Sequence, residues 1–114
     1  MTPLKSGTLD LALLSALDGP PRYGLEILHH VNGRSAGLFD LREGSLYPAL
    51  HRLVKAGWIA SEWQESNTGG APRKYYRLTD DGMAALSAKK AEWRTLRGAM
   101  DALLLRRLAA GRLA

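Results

Sequence analysis

The chain has 114 residues, 46% hydrophobic and 24% charged, which is typical of one small globular domain with at most one appended element. It contains no cysteine, which excludes disulfides, zinc sites built on thiolates and cysteine nucleophiles. The net charge of +5 is compatible with a nucleic-acid partner, but residues 89–114 carry seven bases against two acids and account for all of it. The net charge of residues 1–88 is therefore zero, so overall basicity does not establish DNA binding.

Other chemistry also has little support in the sequence. No apolar run approaches about 18 residues and the N-terminus lacks a signal-peptide pattern, so we expect a soluble, cytoplasmic protein with no membrane partner. His29, His30 and His51 are poorly spaced for a metal site. There is neither a phosphate-cradling glycine loop nor a nucleophile elbow, so we expect no enzyme activity, no metal and no cofactor.

Two helices are predicted first. Residues 4–18 are predicted to form a helix with leucines on more than one face. One face can pack on the core of the domain, and a second can contact a partner subunit as well. Gly19-Pro20-Pro21 then predicts a stop. A second helix is expected over about residues 21–32, with Pro21 in its first turn and Gly33 at its end. Residues 33–41 are a connector.

The stretch 43–56 predicts a third helix with two distinct faces, ended by Gly57. An apolar stripe is formed by Leu46, Leu50, Leu53 and Val54. The other face carries Ser45, Tyr47, Pro48, His51, Arg52 and Lys55, with no acid beyond Glu43. These groups can hydrogen-bond to base edges and phosphates or touch a thymine methyl. The helix is therefore predicted to read DNA.

Pro48 limits where this helix can begin, because proline has no amide hydrogen and belongs in a first turn. Ser45 as N-cap, or a start within two residues of it, is favoured and would place Pro48 at the third helical position. Ser45 is then a cap rather than a base contact. The competing N-cap is Asp40, with Glu43 completing a capping box, but that start demands a kink at Pro48.

After Gly57 the pattern changes to alternation. Residues 58–63 and 73–78 predict two strands joined by a turn-rich tip at residues 66–72. Three short helices followed by a hairpin are typical of a winged helix-turn-helix, a mainly α fold with a small β-hairpin. Tyr75 and Tyr76 alternate along the second strand, so one faces inward and the other outward; the pattern leaves open which.

A long helix is predicted after Thr79, which can cap it, and runs about 30 residues toward Gly111. Its apolar positions repeat every seven residues in two sets, Leu86, Trp93 and Met100, then Leu96 and Leu103. The N-terminal domain that precedes this helix, here called the head, is too small to cover so long a stripe. We therefore expect a second copy of the chain to cover it. The predicted division is a DNA-binding domain at 1–78 and a dimerisation helix at 79–114.

Several runs of residues resemble the PadR family of bacterial transcriptional regulators. They are Glu43 to Leu53, then Gly57-Trp58-Ile59, Trp63, the run Pro72 to Thr79, and Gly82, with Tyr23-Gly24 at the start of the second helix. The resemblance covers about residues 4–83, and the single C-terminal helix is similar to the short branch of the family. It implies a homodimeric repressor, built on the first and last helices and released from DNA by a small aromatic molecule.

With this resemblance, DNA contacts are expected on the third helix and the wing. Arg52 is predicted to bind guanine or a phosphate, and His51 to contact DNA beside it. Tyr47 either bonds a phosphate or packs under the wing, and Lys55 is a peripheral phosphate contact or merely solvated. Arg73, Lys74 and Tyr75 are the predicted wing contacts.

Trp93 has two competing interpretations. It is a dimer-core residue within the heptad, or it stacks on a flat effector, as paired tryptophans do in multidrug-sensing members of the short branch. The alternative for the whole chain is a protein-interaction module that reuses the winged fold without specific DNA readout. The neutral charge of residues 1–88 is the feature that favours it.

Overall fold

The computed structural model describes residues 6–66 and 69–105, and these form a winged helix-turn-helix extended by one long helix. Its elements in chain order are α1 (Ser6–Ala16), β1 (Arg22–Tyr23), α2 (Gly24–Arg34), α3 (Glu43–Lys55), β2 (Ile59–Gln64), β3 (Arg73–Leu78) and α4 (Asp80–Leu104). The predicted fold class is confirmed. Asn67 and Thr68 in the predicted wing tip, and the predicted end of the last helix near Gly111, lie outside the described residues.

One apolar core joins the three short helices, the sheet and the start of α4. The largest side chains that are almost completely buried are Leu13, Leu14, Leu17, Ile27, Leu46, Leu50, Leu53 and Ile59. Each of these contributes roughly 1.5–3 kcal/mol when it leaves water. The predicted apolar stripe of α3 is therefore the face that attaches this helix to the head.

The sheet contains a strand that the sequence pattern did not predict. Its order is β1-β3-β2, and the two residues of β1 pair with Tyr76 and Tyr75 of β3. Because residues 22–23 are extended, α2 starts at Gly24, and the prediction of Pro21 in its first turn was wrong. Glu26 Oε1 accepts the backbone N–H of Tyr23 at 3.0 Å, which fixes this start.

The end of α2 also differs from the prediction. Gly33 lies inside the helix, which continues to Arg34. The reversal comes instead at Gly37, whose φ of 80° suits glycine and whose N–H donates to the Asn32 carbonyl at 2.8 Å. The Asn32 side chain then donates to the Leu41 carbonyl at 2.9 Å and accepts from the Leu41 N–H at 2.7 Å.

This anchoring of Leu41 explains why α3 begins before Ser45. The N-cap is Arg42, and its carbonyl accepts the N–H groups of Ser45 at 3.0 Å and Leu46 at 2.9 Å. Ser45 is thus the third helical residue, so its predicted role as the cap was wrong, although Glu43 begins the helix within two residues of it. Asp40 is not the cap either. Pro48 lies inside the helix, at its sixth position rather than its third.

Thr79 joins the base of the wing to α4, and its predicted role as N-cap is confirmed. Its Oγ1 accepts the Gly82 N–H at 3.0 Å and donates to the Gly57 carbonyl at 2.6 Å. Its own N–H donates to the Trp58 carbonyl at 3.1 Å. These contacts hold the first turn of α4 against the start of β2. In the described part of the chain, no helix is both long and apolar enough to cross a bilayer.

Candidate nucleic-acid interface

The exposed face of α3 follows from the residues that it buries. Leu46, Ala49, Leu50 and Leu53 are buried, so at 100° per residue the centre of the outward face falls near Gly44, Pro48, His51 and Lys55. All four are exposed. The strip offers an imidazole, an ammonium and an apolar ring without a carboxylate. Pro48, His51 and Lys55 therefore lie where the sequence placed them, in the middle of the free surface.

Arg52 lies on the flank of α3 that faces α1. Its guanidinium Nη2 donates to Oδ1 of Asp10 in an ion pair between the two helices. The Asp10 side chain is only 14% exposed and that of Arg52 is 46% exposed. The predicted principal reader is thus held by a residue that the sequence did not single out. Ser45 lies on the same flank and is also exposed.

Tyr47 occupies the opposite flank of α3 and lies against the first residue of α2. A Cβ atom built on Gly24 would lie 2.6 Å from the Tyr47 hydroxyl oxygen and 2.7 Å from its Cε1 atom. Glycine is therefore needed at position 24 for the ring to approach. Tyr47 remains 43% exposed, so packing and a phosphate contact are compatible. Burial, and secondarily the neighbouring Tyr47, raise the pKa of Tyr76.

The outer face of the wing carries Arg73 and Tyr75 beside β1. The Arg73 guanidinium carbon lies 4.6 Å from the centre of the Tyr23 ring. The Tyr23 and Tyr75 rings meet edge to face, with centroids 5.5 Å apart at 74°. Tyr76 points the other way and is 7% exposed, which settles the question that the sequence left open. Tyr75 is the tyrosine on the outer face, and Tyr23 orders the cation that follows the wing tip.

The other face of the wing extends past the core and carries Lys74 with Trp63. These residues are paired across β2 and β3, and the lysine Nζ lies 5.8 Å from the centre of the indole ring. Trp63 is 68% exposed. The sequence identified it only through the family resemblance, because alternation alone places it on the core side of the sheet. The wing thus presents Arg73 on one face and Lys74 on the other.

The long helix divides into an inner and an outer part. Leu86 is buried in the core of its own chain and has little surface left for a partner subunit. This differs from its predicted place in the heptad-like stripe that pairs with a second copy. Trp93, Leu96, Met100 and Leu103 are all exposed, between 41% and 69%. An apolar stripe about three turns long therefore lies uncovered on the isolated chain.

A groove of about 690 Å³ lies where α1, α2 and the middle of α4 meet. Its walls include Trp93, Leu96 and Phe39, together with His30 and Arg34. Desolvation, followed by the charges of Arg22 and Arg34, lowers the pKa of His30. The groove therefore combines aromatic surface with an imidazole, and side chains of both charge signs line it, including Asp18 and Glu92. In the described ranges, no three His, Cys, Asp or Glu side chains form a group that could hold a metal ion.

Comparison with known proteins gives a consistent match. Residues 13–88 match the model of the Transcriptional regulator PadR-like family. A PadR family transcription regulator from Clostridium difficile R20291 is 35% identical with a TM-score of 0.74, covering 84% of this chain and 97% of that one. A PadR-like transcriptional regulator from Bacillus cereus is 32% identical with a TM-score of 0.76, covering 86% and 92%. "Uncharacterized protein X" of Lysinibacillus sphaericus is 35% identical over 95 residues, covering 83% of this chain and 86% of that protein.

Proposed function

The chain belongs to the PadR-like family of transcriptional regulators, and we propose that it is a ligand-responsive repressor that binds a pseudo-palindromic operator as a homodimer. Members of this family are DNA-binding regulators rather than enzymes. The observation that carries the proposal is the exposed, acid-free strip of α3 beside a wing with cations on both faces. This pairing is what a winged helix needs for a major groove and its flanking backbone.

Each side chain of this surface has a proposed role. His51 and Arg52 hydrogen-bond to base edges, and Pro48 supplies apolar contact to a thymine methyl. Ser45 and Tyr47 donate hydroxyl hydrogen bonds to phosphates at the start of α3. Lys55, Arg73 and Lys74 neutralise phosphates, and Tyr75 packs beside them on the wing. These are proposals for contacts with DNA, supported by the exposure of every one of these residues except the half-buried Tyr75.

The proposed dimer rests on the outer part of α4. Trp93, Leu96, Met100 and Leu103 form a heptad-like stripe that water contacts in the isolated chain. Pairing with a second copy would bury it, and α1, which packs against α4, would join the interface. Two reading helices would then lie about 34–36 Å apart to enter successive major grooves. We propose domains at 1–78 and 79–114, with the first turns of α4 anchored on the head through Leu86.

The proposed effector site is the groove beside Trp93. Its size suits a small planar compound, since ligand pockets are commonly about 300–1,000 Å³. Trp93 and Phe39 offer aromatic surface for stacking. Because α1 and α4 both line the groove, an occupant would favour one spacing of the two heads over another. A ligand that binds better to the spacing unsuited to DNA would release the repressor.

Binding to DNA across a salt series tests this proposal. The purified protein is titrated against duplex DNA from the region upstream of its own coding sequence and against a scrambled duplex of equal composition. We expect tighter binding to the upstream duplex. In a plot of log K against the logarithm of the salt concentration, the slope should be about −0.9 for each phosphate that the protein neutralises. Equal weak binding to both duplexes would instead mean either that the operator lies elsewhere or that the winged head serves a protein partner.

The dimer and the effector need separate measurements. Sedimentation equilibrium should give twice the chain mass of 12.5 kDa. Planar aromatic compounds are then added to the operator complex. Because the chain has three tryptophans, the fluorescence of Trp93 is obtained in parallel as the difference between the wild type and Trp93→Phe. Release of DNA together with a change in that fluorescence supports the groove as the effector site. Release without any change at Trp93 contradicts this placement.

A further inference from the structure

We propose that Asp10 of α1 is a specificity-determining residue, which orients Arg52 of α3 so that it reads a base edge rather than a phosphate. The inference rests on the proposed contact of Arg52 with DNA and goes beyond it. It assigns a function to an acidic side chain that would itself lie behind the DNA interface. Asp10 acts through Arg52, so it is a positioning residue.

The geometry allows the ion pair and a DNA contact at the same time. Arginine has five N–H donors in a rigid planar fork, and the ion pair with Asp10 involves the Nη2 atom. Asp10 is 14% exposed on the side of α1 that contacts α3, so its carboxylate is a fixed anchor. Arg52 keeps 46% of its side chain exposed, which leaves donors available to an acceptor outside the protein.

Charge explains why this arrangement selects bases over phosphates. The pair Asp10–Arg52 is nearly neutral from a distance, so it adds little to the long-range attraction of any phosphate. A guanine edge presents uncharged acceptors, O6 and N7, and recognises donors by their direction. Fixing the long arginine side chain beforehand also reduces the rotamer entropy lost on binding. Asp10 therefore weakens indiscriminate binding while it favours the oriented contact.

The variant Asp10→Asn tests the inference because it keeps the shape of the side chain and removes its charge. Asp18→Asn is the matched control, since Asp18 makes an ion pair with Lys90 of α4 at 3.2 Å, away from α3. Both variants gain one unit of positive charge. Affinities are measured for the upstream duplex and for the scrambled duplex at one salt concentration. We expect Asp10→Asn to bind the scrambled duplex more tightly and to lower the affinity ratio about tenfold, whereas Asp18→Asn keeps the ratio.

The variant Arg52→Ala separates the possible results. In its background, Asp10→Asn should no longer change the ratio, because the residue that it positions is absent. The inference is overturned if Asp10→Asn and Asp18→Asn shift both affinities alike. The inference is also overturned, while the proposed DNA binding stands, if Arg52→Ala binds the upstream duplex with the affinity of the wild type. A wild type that binds neither duplex refutes the proposed function itself.

A measurement on the wild type covers the case in which Asp10→Asn fails to fold. Guanidinium NMR resonances of Arg52 are recorded for the free protein and for its complex with the upstream duplex. Restricted rotation about the guanidinium in both states supports the inference. A freely rotating Arg52 in the free protein, or loss of its contact to Asp10 in the complex, overturns it.

Discussion

Substitution of Gly82 by alanine should destabilise the protein, because this residue touches the backbone of the wing. A Cβ atom at position 82 would lie 1.8 Å from the Trp58 carbonyl oxygen and 2.8 Å from its carbon. That carbonyl cannot move freely. It accepts the Thr79 N–H at 3.1 Å, while the Trp58 N–H donates to the Leu53 carbonyl at 3.1 Å. The first turn of α4 must therefore separate from the start of β2.

The size of the effect follows from three contributions. Overpacking of this kind costs about 1–3 kcal/mol. Loss of the hydrogen bond from Thr79 to Trp58 adds about 1 kcal/mol. Alanine in a helix recovers up to about 1 kcal/mol relative to glycine. We expect the free energy of unfolding to fall by about 2 kcal/mol, which lowers the midpoint temperature by about 8–16 °C for a domain of this size.

Gly98 provides the control, because it lies in the same helix and a Cβ atom there would meet nothing within 4 Å. Gly98→Ala should therefore raise stability by about 0.5–1 kcal/mol. Both variants are unfolded in urea at one protein concentration, since dimerisation would make the midpoint depend on concentration. Opposite shifts of the two midpoints support the contact between α4 and the wing. A midpoint for Gly82→Ala equal to that of the wild type would refute it.

Four further predictions concern DNA binding, assembly and pH. Arg52→Ala should weaken binding to the upstream duplex about tenfold in a mobility-shift assay, while sedimentation shows the oligomer unchanged. Lys74→Ala should weaken binding to all duplexes alike and reduce the salt slope by about one phosphate; an unchanged slope argues against a phosphate contact. Leu96→Glu combined with Met100→Glu should give a folded monomer by light scattering, because charges would enter the apolar seam; a persistent dimer contradicts the seam. The neutral phenol of Tyr76 stabilises the fold below pH 10.0, and this contribution is lost as the pH rises through the raised pKa of Tyr76. Above pH 10.0 the urea midpoint of Tyr76→Phe should therefore fall less steeply than that of the wild type.

The helices and the wing were predictable because their signals are local. A stripe such as Leu46, Leu50 and Leu53 specifies both a helix and the face that it buries. Gly57, with a φ of 79°, ends α3 as expected. Thr79 caps α4 because a threonine followed by two aspartates favours a helix start whatever the tertiary structure.

The features that were missed depend on residues distant in the sequence. β1 has two residues and exists only because β3 pairs with it. The start of α3 is set by the Asn32 side chain, which binds Leu41 nine residues later, so the local preference for a Ser45 cap is overridden. With this earlier start, Pro48 lies inside α3. Asp10 carries no local signal of its partnership with Arg52, since 42 residues separate them.

The family motifs are explained by contacts that maintain the scaffold as much as by DNA readout. Gly24 allows the Tyr47 ring to approach, and Gly82 allows α4 to approach the Trp58 carbonyl. Thr79 connects the same region through its hydroxyl. Resemblance in these positions therefore predicts how the reading helix and wing are held. It says less about the operator, because the proposed base contacts are made by exposed residues such as His51.

Three of the nine acids in residues 1–88 make contacts within the protein, away from the exposed centre of α3. Asp10 balances Arg52 behind the reading helix, and Asp18 balances Lys90 on the α1–α4 side. Glu26 binds the backbone that starts α2. These carboxylates serve the scaffold, and the exposed centre of α3 carries none of them. A head with zero net charge can therefore present a cationic reading face, and its low overall attraction for phosphate should favour discrimination between sequences over tight binding to any duplex.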